Sequence, residues 1–253
     1  LALNDRVRAF WEQGPVGTSK AVTGELPPLT HDWFEQVEEN RYRREPMIHG
    51  VAQFTRHRGK SLLEVGVGAG TDHLQWARAG ALCHGVDLTN AAIETTRARL
   101  QHYGFTSDLQ RVDAEKLPFA DESFDLVYSW GVIHHAESPE SIVAEIRRTL
   151  KPGGQFIGMM YNRHSASVYK EWVKHALLRG KPLRSLGDVM WNHFESIGTK
   201  SYTVAELESM FAAFSEVEVW PIITEYDRQH LPRFVGSRLS DHWGVFLAIR
   251  AVK

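Results

Sequence analysis

The stretch 62–70, LLEVGVGAG, with Thr71, Asp72 and His73 behind it, constrains this chain more than any other part of it. Leu62, Leu63 and Val65 make an apolar run of the kind that forms a buried parallel strand. The crowding of Gly66, Gly68 and Gly70 after it predicts a tight turn into a helix over 71–79. Glycine suits such a turn because the backbone must adopt positive φ and let a ligand approach closely. The free N–H groups of a helix N-terminus then face a carboxylate or another electron-rich ligand. The segment reads as the cradle of a nucleotide-type cofactor.

A glycine turn after a strand also serves dinucleotide enzymes, so its details matter. The spacing is G-x-G-x-G, with Thr71 where the dinucleotide fingerprint places its third glycine. Glu64 stands two residues before the first glycine, where a pyrophosphate would meet added negative charge. A cofactor that carries a cation tolerates that carboxylate, and S-adenosylmethionine, with a sulfonium and an ammonium group, is one. A second apolar strand over 82–86 ends in Asp87, twenty-one positions after Gly66, where a Rossmann-like fold offers an acid to ribose hydroxyls. Leu88 follows to lie against the adenine. A third strand over 109–112 ends in Asp113, Ala114 and Glu115, where an acid accepts from an adenine amino group. The fourth, over 124–128, delivers Ser129 and Trp130 to the cofactor edge and His134 and His135 beyond it.

The motifs LLEVGVGAGTD, GVDL, DAEKLPFADESFDLVYSWGVIHHAESP and LKPGGQFIGMMY together resemble the class I S-adenosylmethionine-dependent methyltransferases. The similarity is closest to the small-molecule branch that includes quinone-biosynthesis and sterol methyltransferases, and it covers residues 59–161. It implies an α/β fold with a Rossmann-like seven-stranded sheet, mostly parallel with one antiparallel strand, helices on both faces and a helical lid. It also implies a bound methyl donor and no required metal. In many relatives an N-terminal helix closes over the methionine end, which would bring Tyr42 or Arg43 to the cofactor carboxylate. By position His134 corresponds to an active-site acid of lipid-cyclopropanating relatives, so the resemblance makes it the acceptor-facing residue.

The rest of the chain is consistent with one elaborated domain: a cap segment over 1–58, the cofactor core over 59–161, a lid insertion over 162–202, and a helix with a strand pair over 203–253. In the cap, Trp33, Phe34, Val37 and Tyr42 have helical spacing after Thr30, a candidate N-cap. A net charge of −2 and a pI near 6.7 count against wrapping nucleic acid by phosphate neutralisation, so the expected partner is a small molecule. Cys83 is the one cysteine, which leaves no disulfide framework or cysteine zinc site and fits a reducing cytoplasm. There is no apolar stretch of about 18 residues to span a membrane.

Histidine ionises near neutrality, so His134 is the first catalytic candidate, as a base acting on the acceptor, and Tyr161 is the second acceptor-site candidate. His135, His164 and Trp191 are placed around the substrate. The two adjacent histidines also allow a metal pair, against which stand the few acids beside them in sequence. Eight tryptophans favour an apolar or aromatic acceptor pocket, and the irregular loop over 221–242 is expected to border it. Other readings stay open: a nicotinamide oxidoreductase, a relative that binds the cofactor without transferring methyl, and a methyltransferase acting on RNA or protein. Transfer to oxygen, nitrogen or carbon would use the same cradle.

Overall fold

Strand alternation decides the architecture in the computed structural model, which describes residues 2–228, 236 and 238–253. The strands are β1 (Ser61–Val65), β2 (Leu82–Asp87), β3 (Asp108–Arg111), β4 (Phe124–Trp130), β5 (Leu150–Tyr161), β6 (Glu216–Ile222) and β7 (Phe246–Val252). They form one sheet in the order β3-β2-β1-β4-β5-β7-β6. The first five pair in parallel, and β7 runs antiparallel between β5 and β6. Successive side chains leave opposite faces. Leu62, Leu126, Tyr128, Ile157 and Met159 pack with Ile48, Val51 and Trp76, whereas Leu63, Val65, Val127 and Phe156 pack with Ile142, Ile146 and Phe211. Burial on both faces is why these strands read as nearly continuous apolar runs.

The principal helices are α1 (Leu3–Trp11), α2 (His31–Arg44), α3 (Thr71–Arg78), α4 (Asn90–His102), α5 (Pro139–Thr149), α6 (Ala166–His175), α7 (Leu186–His193) and α8 (Val204–Met210). Their starts follow capping chemistry. Thr89 accepts from the Ala92 N–H, Ser138 accepts from Ser141 with Pro139 in the first turn, and Thr203 and Glu206 cap each other's backbone. Thr30 departs from expectation: it occupies the N-cap of α2, yet its hydroxyl donates to the Pro27 carbonyl at 2.8 Å. Burial of Trp33, Phe34 and Val37 holds that helix instead. β5 takes in Pro152, Gly153 and Gly154 beside a register shift opposite Phe124 and Leu126.

Because β2 and β4 flank β1 on opposite sides, the chain reverses its winding between β1 and β4, and a crevice opens at the strands' carboxyl ends there. In the loop over 221–242, residues 229–235 and 237 lie outside the described residues, while Tyr226 reaches the crevice. No helix among the described residues is long and apolar enough to cross a membrane.

Candidate functional site

The crevice is a cavity of about 790 Å³ walled by the carboxyl tips of β1, β2, β4 and β5 and covered by α1, α2 and α6. Gly66 and Gly68 line it. Gly66, at φ +84°, lies so close to Val132 that an added Cβ would stand 2.2 Å from Val132 Cγ2, whereas Gly68 faces open space. Gly70 is off the wall: a Cβ there would meet Thr96 at 2.9 Å, so its bare backbone seats α4 against the turn. Gly66→Ala is therefore expected to destabilise the fold by about 1–3 kcal/mol through overpacking. An unchanged urea midpoint would show that the turn does not press on Val132.

Acids ring the turn. Asp87 Oδ2 accepts the Gly68 N–H at 3.2 Å, and its Oδ1 accepts the Thr89 N–H and hydroxyl at 3.0 and 2.8 Å. Burial raises the Asp87 carboxyl, and these donors oppose the rise. Leu88, Thr71, Asp113 and Ala114 share the wall. Asp113 accepts from Asn4 Nδ2 at 2.9 Å, so α1 is tied across this end. Glu64 faces the cavity with its Oε2 2.8 Å from His73 Nδ1. Burial pushes Glu64 well above the usual carboxylate range and lowers the His73 imidazole to about 4.

Two residues expected on this wall stand behind it. Glu115 accepts from Asn4 Nδ2 at 2.8 Å and from the Ser138 N–H at 2.8 Å, strapping α1 to the start of α5. The Ser129 hydroxyl donates to the Val65 carbonyl at 2.9 Å and ties β4 to β1. Trp130 does reach the cavity, with its Nε1 donating to Glu45 Oε2 at 2.8 Å.

On α2 it is Arg41 that lines the cavity, rather than Tyr42 or Arg43. One residue along a helix turns a side chain by roughly 100°. Tyr42 thereby faces inward and donates to Asp72 Oδ1 at 3.0 Å, and Arg43 Nη2 donates to Asn40 Oδ1 at 3.2 Å. Arg41 donates to Asp72 Oδ2 at 2.8 Å and to Glu45 Oε1 at 3.1 Å. The Tyr128 hydroxyl also reaches Asp72 Oδ2 at 2.9 Å. Arg41, Glu45 and Asp72 were not anticipated, although the i,i+4 spacing of Arg41 and Glu45 was readable.

The other end of the cavity corrects the reading of the histidine pair. They follow β4 in a short 3₁₀ turn, Ile133–His135, in which successive residues point about 120° apart. His135 therefore lines the cavity and His134 does not. His134 is fully buried, its ring 4.1 Å from that of Tyr161 and 4.3 Å from that of His135, and neither of its nitrogens has a hydrogen-bond partner. Burial drives its pKa well below the ordinary value, so it is a neutral plate out of reach of an acceptor.

Tyr161 does line the cavity, and its hydroxyl donates to Glu195 Oε2 at 2.9 Å. Glu195 Oε2 is also 3.3 Å from His135 Nε2, so the histidines do have an acid beside them. His134, His135 and Glu195 each offer one ligand atom, all within 4.8 Å of one another. His164 and Trp191 lie off the wall, His164 Nδ1 at 3.0 Å from the Tyr169 hydroxyl and Trp191 38% exposed beneath the Lys200 ammonium. The end of α7 contributes Phe194 and Glu195 instead, and α1 contributes Trp11, whose ring centroid is 5.5 Å from that of His135.

Residues 63–158 match the protein family described as "Methyltransferase domain". Over 169 residues the chain is 34% identical to the ubiquinone biosynthesis O-methyltransferase of Thiobacillus denitrificans, a match covering 63% of this chain and 73% of that protein. It is 36% identical over 142 residues to phthiotriol/phenolphthiotriol dimycocerosates methyltransferase 1 of Mycobacterium ulcerans, covering 55% of this chain and 50% of that one. The chain thus spans from about half to about three quarters of the length of the curated relatives it matches. Among solved structures, geranyl diphosphate C-methyltransferase from Streptomyces coelicolor A3(2), in complex with Mg2+, geranyl diphosphate and S-adenosyl-L-homocysteine, superposes with a TM-score of 0.63. That match covers all of this chain and 97% of the other at 13% identity, a likeness of fold.

Proposed function

This chain belongs to the class I S-adenosylmethionine-dependent methyltransferases, and from that premise we propose that it moves a methyl group from S-adenosylmethionine to a small, apolar or aromatic acceptor. The observation that carries the reading is the charge of the glycine cradle: Glu64, Asp72, Asp87 and Asp113 line one cavity around the open face of Gly68. A pyrophosphate brought to that turn would be repelled, while a sulfonium and an ammonium would be attracted. The relative from Thiobacillus denitrificans, named for O-methylation in ubiquinone biosynthesis, supports a small-molecule acceptor.

In this reading Asp87 takes the ribose hydroxyls, Leu88 lies along the adenine, and Asp113 and Ala114 hold the adenine edge. Glu64 faces the ammonium group, and Arg41 takes the carboxylate in the place first expected of Tyr42. When bound, the cofactor supplies a methyl group on a positively charged sulfur that leaves readily. The chain's task is then mainly to hold the acceptor in line, which in well-oriented systems contributes up to about 7–11 kcal/mol. Trp11, Phe194, Tyr226 and Phe246 make that part of the cavity apolar and aromatic.

Calorimetric titration tests both the cofactor and the role of Glu64. Burial raises the pKa of the Glu64 carboxyl in the free protein, and an adjacent cation would lower it. Binding should then release a proton, so the apparent enthalpy varies with the buffer's ionisation heat and affinity rises with pH. Saturable binding of a nicotinamide dinucleotide, with none of S-adenosylmethionine, would overturn the function. Buffer-independent heats would remove only the assignment of Glu64.

A further inference from the structure

His134 is fully buried with both ring nitrogens lacking a hydrogen-bond partner, and among the described residues no other side chain has two such atoms. Buried polar atoms are nearly always satisfied, so this pair calls for a partner of another kind. Two further ligating groups stand beside it. One atom each from His134, His135 and Glu195 lie within 4.8 Å of one another. Two ligands on a tetrahedral ion stand about 3.4 Å apart, so each side chain would move by less than about 1 Å to close around one. His135 Nε2 and Glu195 Oε2 already have that spacing, at 3.3 Å. It is long for a hydrogen bond to a carboxylate and right for two ligands of one ion.

The two groups at the cavity wall are braced from behind, as ligands characteristically are. The Tyr161 hydroxyl donates to Glu195 Oε2 at 2.9 Å. His135 Nδ1 is 3.0 Å from Ser196 Oγ and 3.1 Å from Thr199 Oγ1, and the Thr199 hydroxyl donates to the Ser196 carbonyl at 2.6 Å. The Ser196 hydroxyl can accept from Nδ1 or donate to it, so both tautomers are open to the free ring. An ion on Nε2 selects the tautomer with Nδ1–H, which Thr199 Oγ1 is placed to accept. Glu195 reaches this position through a backbone that its residue type rarely adopts, with φ at +53° just past the end of α7. Non-glycine residues held in that region cluster at functional sites.

We infer that His134, His135 and Glu195 form a binding site for a borderline divalent cation of the zinc class, between the turn after β4 and the end of α7. Two imidazoles and one carboxylate suit Zn2+, Co2+ or Fe2+, whereas Mg2+ and Ca2+ take sets made of oxygen. Three protein ligands leave a coordination position open, the pattern of catalytic rather than structural zinc sites. His135 and Glu195 line the cavity, so that position takes water or an oxygen atom of a molecule bound there. His134 stands behind them and closes the set from the core. The inference goes beyond the methyl-transfer reading, which needs no metal.

Co2+ is the probe, because its visible spectrum reports the ligands around it. The whole chain, free of any histidine tag and stripped with EDTA, should bind one Co2+ with the absorption of a low-coordinate site. Zn2+ should displace it, and excess Mg2+ should not. Removing a group that braces a ligand costs roughly 10–100-fold in metal affinity, the range expected for Tyr161→Phe. Removing a ligand costs more, so Glu195→Gln and His135→Gln should each weaken Co2+ binding by more than about 100-fold. Both sit at the cavity wall, and thermal melting checks that they fold; neither measurement depends on a substitution at the buried His134. His31→Gln is the control. It alters the exposed group of His31, Asp32 and Glu35, whose spacing could also hold an ion, and should leave binding unchanged.

Wild-type protein that takes up no stoichiometric Co2+ overturns the inference. So does wild-type affinity in either Glu195→Gln or His135→Gln. Binding lost in His31→Gln would put the ion on the surface, and displacement by Mg2+ as readily as by Zn2+ would put it on oxygen ligands; each overturns the site as assigned. None of these results touches S-adenosylmethionine binding, so the methyltransferase reading stands or falls separately.

Discussion

Arg41→Met is expected to destabilise the protein by about 3–5 kcal/mol and to weaken S-adenosylmethionine binding in the same variant, because the guanidinium it removes holds two buried carboxylates. The side chains of Asp72 and Glu45 are 5% and 8% exposed, and each receives a short hydrogen bond from Arg41. Methionine nearly fills the volume and leaves the two negative charges facing one another without their shared cation. Part of that cost is relieved by protonation. Burial already raises the Glu45 pKa against the opposing effects of Arg41 and the Trp130 N–H, so removing Arg41 raises it further. A carboxyl whose folded pKa lies above its unfolded value contributes stability at low pH that is lost as pH rises through the folded pKa. The deficit of the variant should therefore be smaller at about pH 5 than at about pH 8 in urea unfolding. A deficit independent of pH would mean that Arg41 acts through packing alone.

The parts of this site that could be read from sequence are those in which adjacent residues do adjacent jobs. Gly66, Gly68, Asp87 and Asp113 lie at or just beyond the carboxyl ends of β1, β2 and β3, and a parallel sheet brings such ends together without further information. Where side-chain direction matters, sequence position misleads by one residue. Tyr42 and Arg41 differ by one step of helical phase, and His134 and His135 by one step of a 3₁₀ turn. In each pair the neighbour of the expected residue faces the cavity.

Elements held by distant polar contacts leave weaker traces still. In α1 the apolar residues Leu3, Val7, Phe10 and Trp11 stand at helical spacing, yet only Val7 is buried. It is held by Asn4 on Asp113 and Glu115, and by Glu12 on the N–H groups of Asn90 and Ala91. Glu195 belongs to no motif, and its place at the cavity comes from a backbone angle and from two partners on other elements. Ser129 and Glu115 show the converse. Both sit at the expected strand ends, yet backbone groups nearby claim their polar atoms before a ligand could.

Asp87→Ala should weaken S-adenosylmethionine binding on the order of 100-fold, about 3 kcal/mol, since two ribose hydroxyls would lose a charged acceptor. What separates this from general damage is the sign of its effect on the fold. Burial raises the Asp87 carboxyl above its usual range, so keeping it ionised near neutrality costs the folded state free energy. Asp87→Asn retains the shape and one oxygen acceptor for Thr89 while removing that charge, and it should melt at the wild-type temperature or higher even as its affinity falls. Sites built to bind charge commonly give up stability in this way. Both variants free the Gly68 N–H, and the alanine variant, which also frees the Thr89 N–H, should lose somewhat more affinity than the asparagine variant. If both variants instead melt lower and bind as wild type does, Asp87 serves the turn rather than the ligand, and the ribose must be held elsewhere.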